Sequence, residues 1–344
     1  MFNTLITGPF GSILAFIYSL VKNYGLAIIV FTIVCKLILF PFTLKSKRGM
    51  YANMRIQPKM QELQKKYKND KERYSLELQK LYKEEKVSPM SGCLPMLITL
   101  PIMFGLYYVV TQPLTYLMKL SKETIAAIAT NLSTVLQGHG VEGTLIENLA
   151  KLADGQKVYS LEVTMADYMN KYASELQALM PDLPEKVFNF KFDLFGINLS
   201  QNPTYNFSDP NFSWGLLLIV AVSVATSFLS GYMTQKMNPM NAAQNGNDPA
   251  AKTTQSTNKM MLYMMPVMTL LIGFSIPAAI SVYWIMNNVL TVVQEHLANK
   301  IVKRQEDAAA LKRAEEEARK KRNKQKAAEL EAREKAEKNS IAED

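Results

Sequence analysis

Histidine and cysteine are nearly missing from this chain: its 344 residues hold two of each. His139 and His296 lie far apart in dissimilar surroundings, so a histidine-based metal site or acid–base pair has almost no material to be built from. Cys35 and Cys93 both fall in apolar context and form no ligand cluster, which argues against a disulfide scaffold. No glycine-rich phosphate loop is present, and no Asp pair or His-Glu motif falls within the apolar runs, which speaks against nucleotide-driven chemistry and intramembrane proteolysis. Charge is missing too, but only locally. Several stretches of about 17 to 20 residues are almost free of it, while others carry it every two or three positions. A soluble domain spreads its apolar residues at helix or strand period. Massed apolar runs in a chain that is 48% hydrophobic, with a net charge of +9, exclude a soluble enzyme and point to a multi-span membrane protein.

A helix crosses the hydrocarbon core with about 20 apolar residues. Five stretches qualify: 24–43, 92–112, 212–233, 260–276 and 278–296. The last two share one long block divided near Ile276-Pro277, where proline removes a helix donor, and read as a tight hairpin; a single long kinked helix is the alternative. The apolar stretch 9–21 is short, no basic region precedes it and no small-residue cleavage pattern follows, so segment 1–23 is expected as a helix lying in the outer interface.

Basic residues orient the spans. Segment 44–91 carries 13 Lys+Arg against 6 acids, segment 234–259 has 3 against 1, and the tail 297–344 carries its 14 from residue 299 onward against 11. With five spans these segments share one side, the cytoplasm. Residues 1–23, with one Lys, and loop 113–211, with 7 Lys and 11 acids, face outside. Within 44–91, Met60, Leu63 and Tyr67, then Tyr74, Leu78, Leu81 and Tyr82, form narrow apolar stripes on two helices broken at Asn69-Asp70. Such a basic cytoplasmic hairpin is either a docking arm or a solvated connector. The tail lacks an apolar stripe and is expected as a solvated or partly disordered helix, and 240–258 as a flexible polar loop. Loop 113–211 is expected to form a small, mainly helical outer domain, with Phe188, Phe190, Phe192 and Leu194 alternating like an edge strand. The fold class is therefore an all-α polytopic membrane protein.

Lys36 is the one charge inside the first span, roughly two turns from its cytoplasmic end, with Thr32 one turn earlier on the same face. A charge at the bilayer centre costs about 2.5–3.5 kcal/mol on insertion scales and usually faces protein or water. No acid lies at a span centre to pair with it. Two readings stand: a hydrated groove open to the cytoplasm, with polar residues of other spans (Thr99, Ser223, Thr226, Ser281, Asn287) contributing, or a stem that snorkels to the headgroups.

The stretch GLAIIVFTIVCKLILFPFTLKSKR, the hairpin QPKMQELQKKYKNDKERYSLELQKLYKEEKVSPMSGCLPMLITLPIMFGLYY, and PAAISVYWIMNN followed by a basic tail resemble the YidC/Oxa/Alb membrane protein insertases, in the five-span form typical of Gram-positive bacteria. The resemblance covers roughly 9–112 and 200–300. It implies a non-enzymatic insertase and chaperone of the bacterial plasma membrane, with its N-terminus outside and its C-terminus in the cytoplasm. It would act alone or beside the Sec translocon on nascent membrane proteins, without a cofactor or metal. It also implies a substrate groove in which Lys36 holds the family's basic position, Thr32 the threonine before it, Met103 a place near the substrate path, and Tyr283 and Trp284 an aromatic pair. The family usually has Arg where Lys36 stands, and the middle of the outer loop, about 120–185, has no counterpart.

The expected mechanism is a wet groove whose cation attracts an acidic client tail while the client's apolar helix partitions into lipid. A small-anion transporter or channel would also want a buried cation, though no internal repeat is present. A ribosome tether or assembly scaffold is the third reading, because the hairpin and the basic cluster Arg319 to Lys326 suit ribosomal RNA or anionic lipid.

Overall fold

The computed structural model describes residues 7–88, 104–156, 158, 160–209, 212–238 and 249–343. Helix dominates these residues, and the strand among them is limited to one short antiparallel hairpin. Helix α1 (Gly8–Val21) buries Gly11, Leu14 and Ile17 against the rest of the protein and leaves Phe16 and Leu20 exposed. Lys22, in the left-handed region, ends it. Asn23 then opens α2 (Tyr24–Lys66) by accepting the Leu26 N–H on its side chain at 3.0 Å.

Helix α2 is continuous for 43 residues. At 1.5 Å per residue that is about 65 Å, roughly twice the hydrocarbon thickness. The apolar segment and the first half of the basic hairpin are therefore one rod, whereas the sequence suggested a division after Thr43. Pro41 and Pro58 each remove one ladder donor without ending it, because the Leu, Lys, Arg, Met, Gln and Glu around them are good helix formers. The chain turns at 67–70, Asp70 caps α3 (Lys71–Glu84) by accepting the Arg73 N–H, and α3 folds back on α2 through Leu81, Tyr82 against Met60, and the Lys59–Glu85 ion pair.

The expected second span lies outside the described residues over 92–103. Its remainder forms α4 (104–111), followed by α5 (Pro113–Tyr116). The region expected as the outer domain consists of α6 (Lys122–Gly138), α7 (Thr144–Ala153), α8 (Leu161–Lys171), α9 (Ala173–Leu179), a 3-10 turn (Glu185–Phe188), and β1 (Asp193–Leu194) paired with β2 (Ile197–Asn198). Phe188, Phe190 and Phe192 are buried while Asn189, Lys191 and Asp193 are exposed, the alternation the sequence suggests, although only Asp193–Leu194 of this stretch is strand. Asn170 bonds both the N–H and the C=O of Phe190 with its side-chain amide, taking the place a neighbouring strand would have. The rings of Phe190 and Phe192 pack on Tyr24, with ring centroids 5.3 Å apart for Tyr24 and Phe192.

Three long helices complete the molecule: α10 (Trp214–Lys236), α11 (Pro249–Gly273) and α12 (Ala278–Glu343). The chain turns at 274–277, so α11 and α12 are separate helices. Helix α11 reaches back to Pro249, into the segment expected as a polar loop, and α12 carries the tail onward as one helix. Helix α12 packs between α2 and α10, and α10 lies between α12 and α11. Among the described residues, α2 and α10 are long and apolar enough to cross a membrane; α1 and 262–273 are shorter apolar helices. Helix α10 buries Leu216, Val220, Ser223 and Ser230 but exposes Leu218, Val222, Phe228 and Leu229. Apolar surface on both faces suits lipid as the surrounding solvent.

Segment 191–201 fixes where two of these helices begin. The Tyr24 N–H donates to Lys191 O at 2.8 Å, and the N–H groups of Ala278 and Ala279 donate to Gln201 O and Leu199 O at 3.0 and 2.9 Å. Buried helix starts leave orphan donors, and one strap accepts from both starts. Helices α2 and α12 therefore start at the same level and run parallel, which brings their charged ends to the same side.

Candidate functional site: a polar cluster between two parallel helices

Lys36 projects from the apolar half of α2 toward α12. Its ammonium donates to Thr291 Oγ1 at 2.7 Å, and Thr291 donates in turn to Asn287 O at 2.6 Å. The Gln294 side-chain amide returns across the same interface to Lys36 O at 3.0 Å. The cation is thus half-buried and bound to a neutral hydroxyl whose own proton is already committed to a carbonyl. Such a chain polarises along its length and ties the ammonium to the facing helix.

One turn beyond Thr291 on the same face of α12 stands Glu295, and its carboxylate pairs with Lys47, three turns beyond Lys36 on α2. Lys47 is 2% exposed and Glu295 19%. Below them the parallel register continues through Tyr51 with Asn299 at 2.8 Å, Arg48 with Gln305 at 3.2 Å and Arg55 with Glu306 at 3.3 Å. Among the described residues no acid pairs with Lys36; Glu295, at the end of the expected fifth span, is held by Lys47.

The other expected site residues divide. Thr32 is buried, and its hydroxyl donates to Ile28 O of its own helix at 2.7 Å. Tyr283 is buried and Trp284 half-buried, both against the core about three turns before Glu295. Met103 and Thr99 lie outside the described residues. Ser223, Thr226 and Thr269 also bond carbonyls of their own helices. This back-bonding is ordinary for hydroxyls in membrane helices and leaves them little capacity for lining a groove. Sequence reasoning missed Thr291, Gln294, Glu295 and Lys47. The i, i+4 spacing of Thr291 and Glu295 was a usable signal, but Glu295 sat at a span end and Lys47 counted only toward loop charge. A cleft of about 980 Å³ opens elsewhere, on the outer region between α7, α8 and the 200–209 segment, and none of the expected groove residues lines it.

The sequence profile of the 60Kd inner membrane protein family matches residues 16–306. Similar proteins include the membrane protein insertase YidC of Citrifermentans bemidjiense, 27% identical over 86% of this chain and 37% of that protein, and that of Rickettsia bellii, 26% identical over 87% and 39%. The YidC of Syntrophus aciditrophicus is 53% identical over a shorter region, 27% of this chain and 17% of its own length. The chain thus aligns with well under half the length of these relatives.

Proposed function

Because the chain belongs to the 60Kd inner membrane protein family, we propose that it inserts other membrane proteins into the bacterial plasma membrane and helps them fold. Its relatives' names support this reading. In it five helices span the bilayer, the N-terminus faces outside, and the basic hairpin and tail face the cytoplasm. Its clients are nascent membrane proteins, taken alone or beside the Sec translocon, and the basic cytoplasmic surfaces suit a ribosome.

The observation that carries the reading is the placement of Lys36. An ammonium held inside the helix pair by a neutral hydroxyl keeps a charge that a client carboxylate can share. Lys36, Thr32, Tyr283 and Trp284, with Met103 on the second span, bound a hydrated groove in this proposal. An acidic client tail enters it from the cytoplasm, drawn by the cation, while the client's apolar helix moves sideways into lipid. Burial of about 20 apolar residues supplies the driving force, so neither bond-making nor nucleotide is required.

Reconstituted vesicles test it. Lys36→Arg should keep insertion of a client with an acidic tail, since the charge remains. Lys36→Glu should reduce it by about tenfold or more through like-charge repulsion. Insertion by Lys36→Glu at the wild-type rate removes the attraction step.

A further inference from the structure

The groove's charge is set by three residues rather than one. Thr291 and Glu295 are neighbours on one helix face, and both turn toward α2. Lys36 and Lys47 converge on these adjacent rungs from three turns apart, so two cations and one carboxylate share a half-buried interface. A carboxylate next to a cation in a poorly solvated place pairs with it strongly unless another cation holds it first. Lys47, almost wholly enclosed, is that other cation.

We propose that Lys47 is a positioning residue for client recognition: by occupying Glu295 it prevents that carboxylate from neutralising Lys36, and leaves the cluster one positive charge to offer to an acidic client tail. The inference rests on the insertase reading above and goes beyond it in assigning the available charge to the Lys47–Glu295 pair. With Lys47 removed, Glu295 loses its partner, and Lys36 is the cation bonded one helix turn away, at Thr291. The groove then carries no net charge although Lys36 is unchanged. With Glu295 removed as well, Lys36 is free again.

The experiment uses the full chain in vesicles, with one client bearing an acidic tail and the same client bearing a neutral tail. Lys47→Gln should lower insertion of the acidic-tail client by about tenfold and leave the neutral-tail client within about twofold of wild type. The double variant Lys47→Gln/Glu295→Gln should restore acidic-tail insertion to within about twofold, and Glu295→Gln alone should not reduce it. Wild-type behaviour of Lys47→Gln overturns the proposal. So does an equal loss for both clients, or a double variant no better than the single one, because either makes the pair a structural strut only. Lys36→Glu in the same vesicles separates the two levels of argument. If it inserts acidic tails normally, the groove-cation reading itself fails; if it fails to insert them while Lys47→Gln is normal, only the role of Lys47 falls.

Discussion

Glu162 shows how far one buried carboxylate can govern a small domain. It lies on α8, 8% exposed, and accepts the Thr115 N–H at 2.8 Å and the Thr115 hydroxyl at 2.6 Å. Burial pushes its pKa up to about 7, and the Thr115 bonds offset only part of that. The folded protein therefore keeps a proton on Glu162 that the unfolded chain releases in the ordinary carboxylate range. Between those two values the native state binds more protons, so the stability from this group is fully present at low pH and is lost as pH rises through about 7. The loss amounts to roughly 3 kcal/mol. Hydrogen exchange of the α8 amides between pH 5 and 8 should show protection falling with pH, and Glu162→Gln should flatten the slope. An unchanged slope in the variant would assign the pH dependence elsewhere. Thr115→Val removes one donor from the carboxylate and should cost about 1–3 kcal/mol at neutral pH by the same measurement.

At the scale of elements, the outer strap is joined to the helices through two glycines. A Cβ on Gly25, in the first turn of α2, would lie 2.6 Å from Leu199 Cδ1 and 3.1 Å from Leu194 Cβ. A Cβ on Gly215, at the start of α10, would lie 2.7 Å from Ile197 Cγ1 and 2.8 Å from its Cδ1. The hairpin β1–β2 thus rests on the outer ends of two long helices, and a methyl group at either point pries it away. Gly25→Ala is expected to be the costlier change, by about 1–3 kcal/mol, because Leu194 Cβ is fixed to the backbone while the end of Ile197 has some freedom to rotate. Thermal unfolding in detergent should rank Gly25→Ala below Gly215→Ala, and Gly215→Ala below wild type. Equal melting temperatures for all three would mean that the strap yields without cost.

At the scale of the molecule, the parallel course of α2 and α12 decides which parts share a side. Both start under one strap, and both carry their charge beyond the Lys47–Glu295 level. In a background lacking Cys35 and Cys93, a membrane-impermeant thiol reagent should label Leu76→Cys on α3 and Leu311→Cys on α12 from one side only. It should label Phe195→Cys, at the tip of the β hairpin, from the other; all three positions are exposed. Labelling Leu76→Cys and Phe195→Cys from the same side would break the proposed topology.

Much of the chain could be read before its structure. The apolar runs, the mainly helical character of loop 113–211 and the turn at 67–70 follow from local pattern, because helix formation and helix period depend on residues within a few turns of one another. Other features did not follow from it. The Asn170 side chain bonded to the Phe190 backbone and the partners Thr291, Gln294 and Glu295 rest on residues 20 to 258 positions apart in the chain. Local pattern shows that a lysine lies in an apolar helix. The hydroxyl that receives it, and the carboxylate that a second lysine keeps occupied, were decided by the packing of two helices from opposite ends of the chain, because hydrogen bonds and ion pairs are set by distance in space.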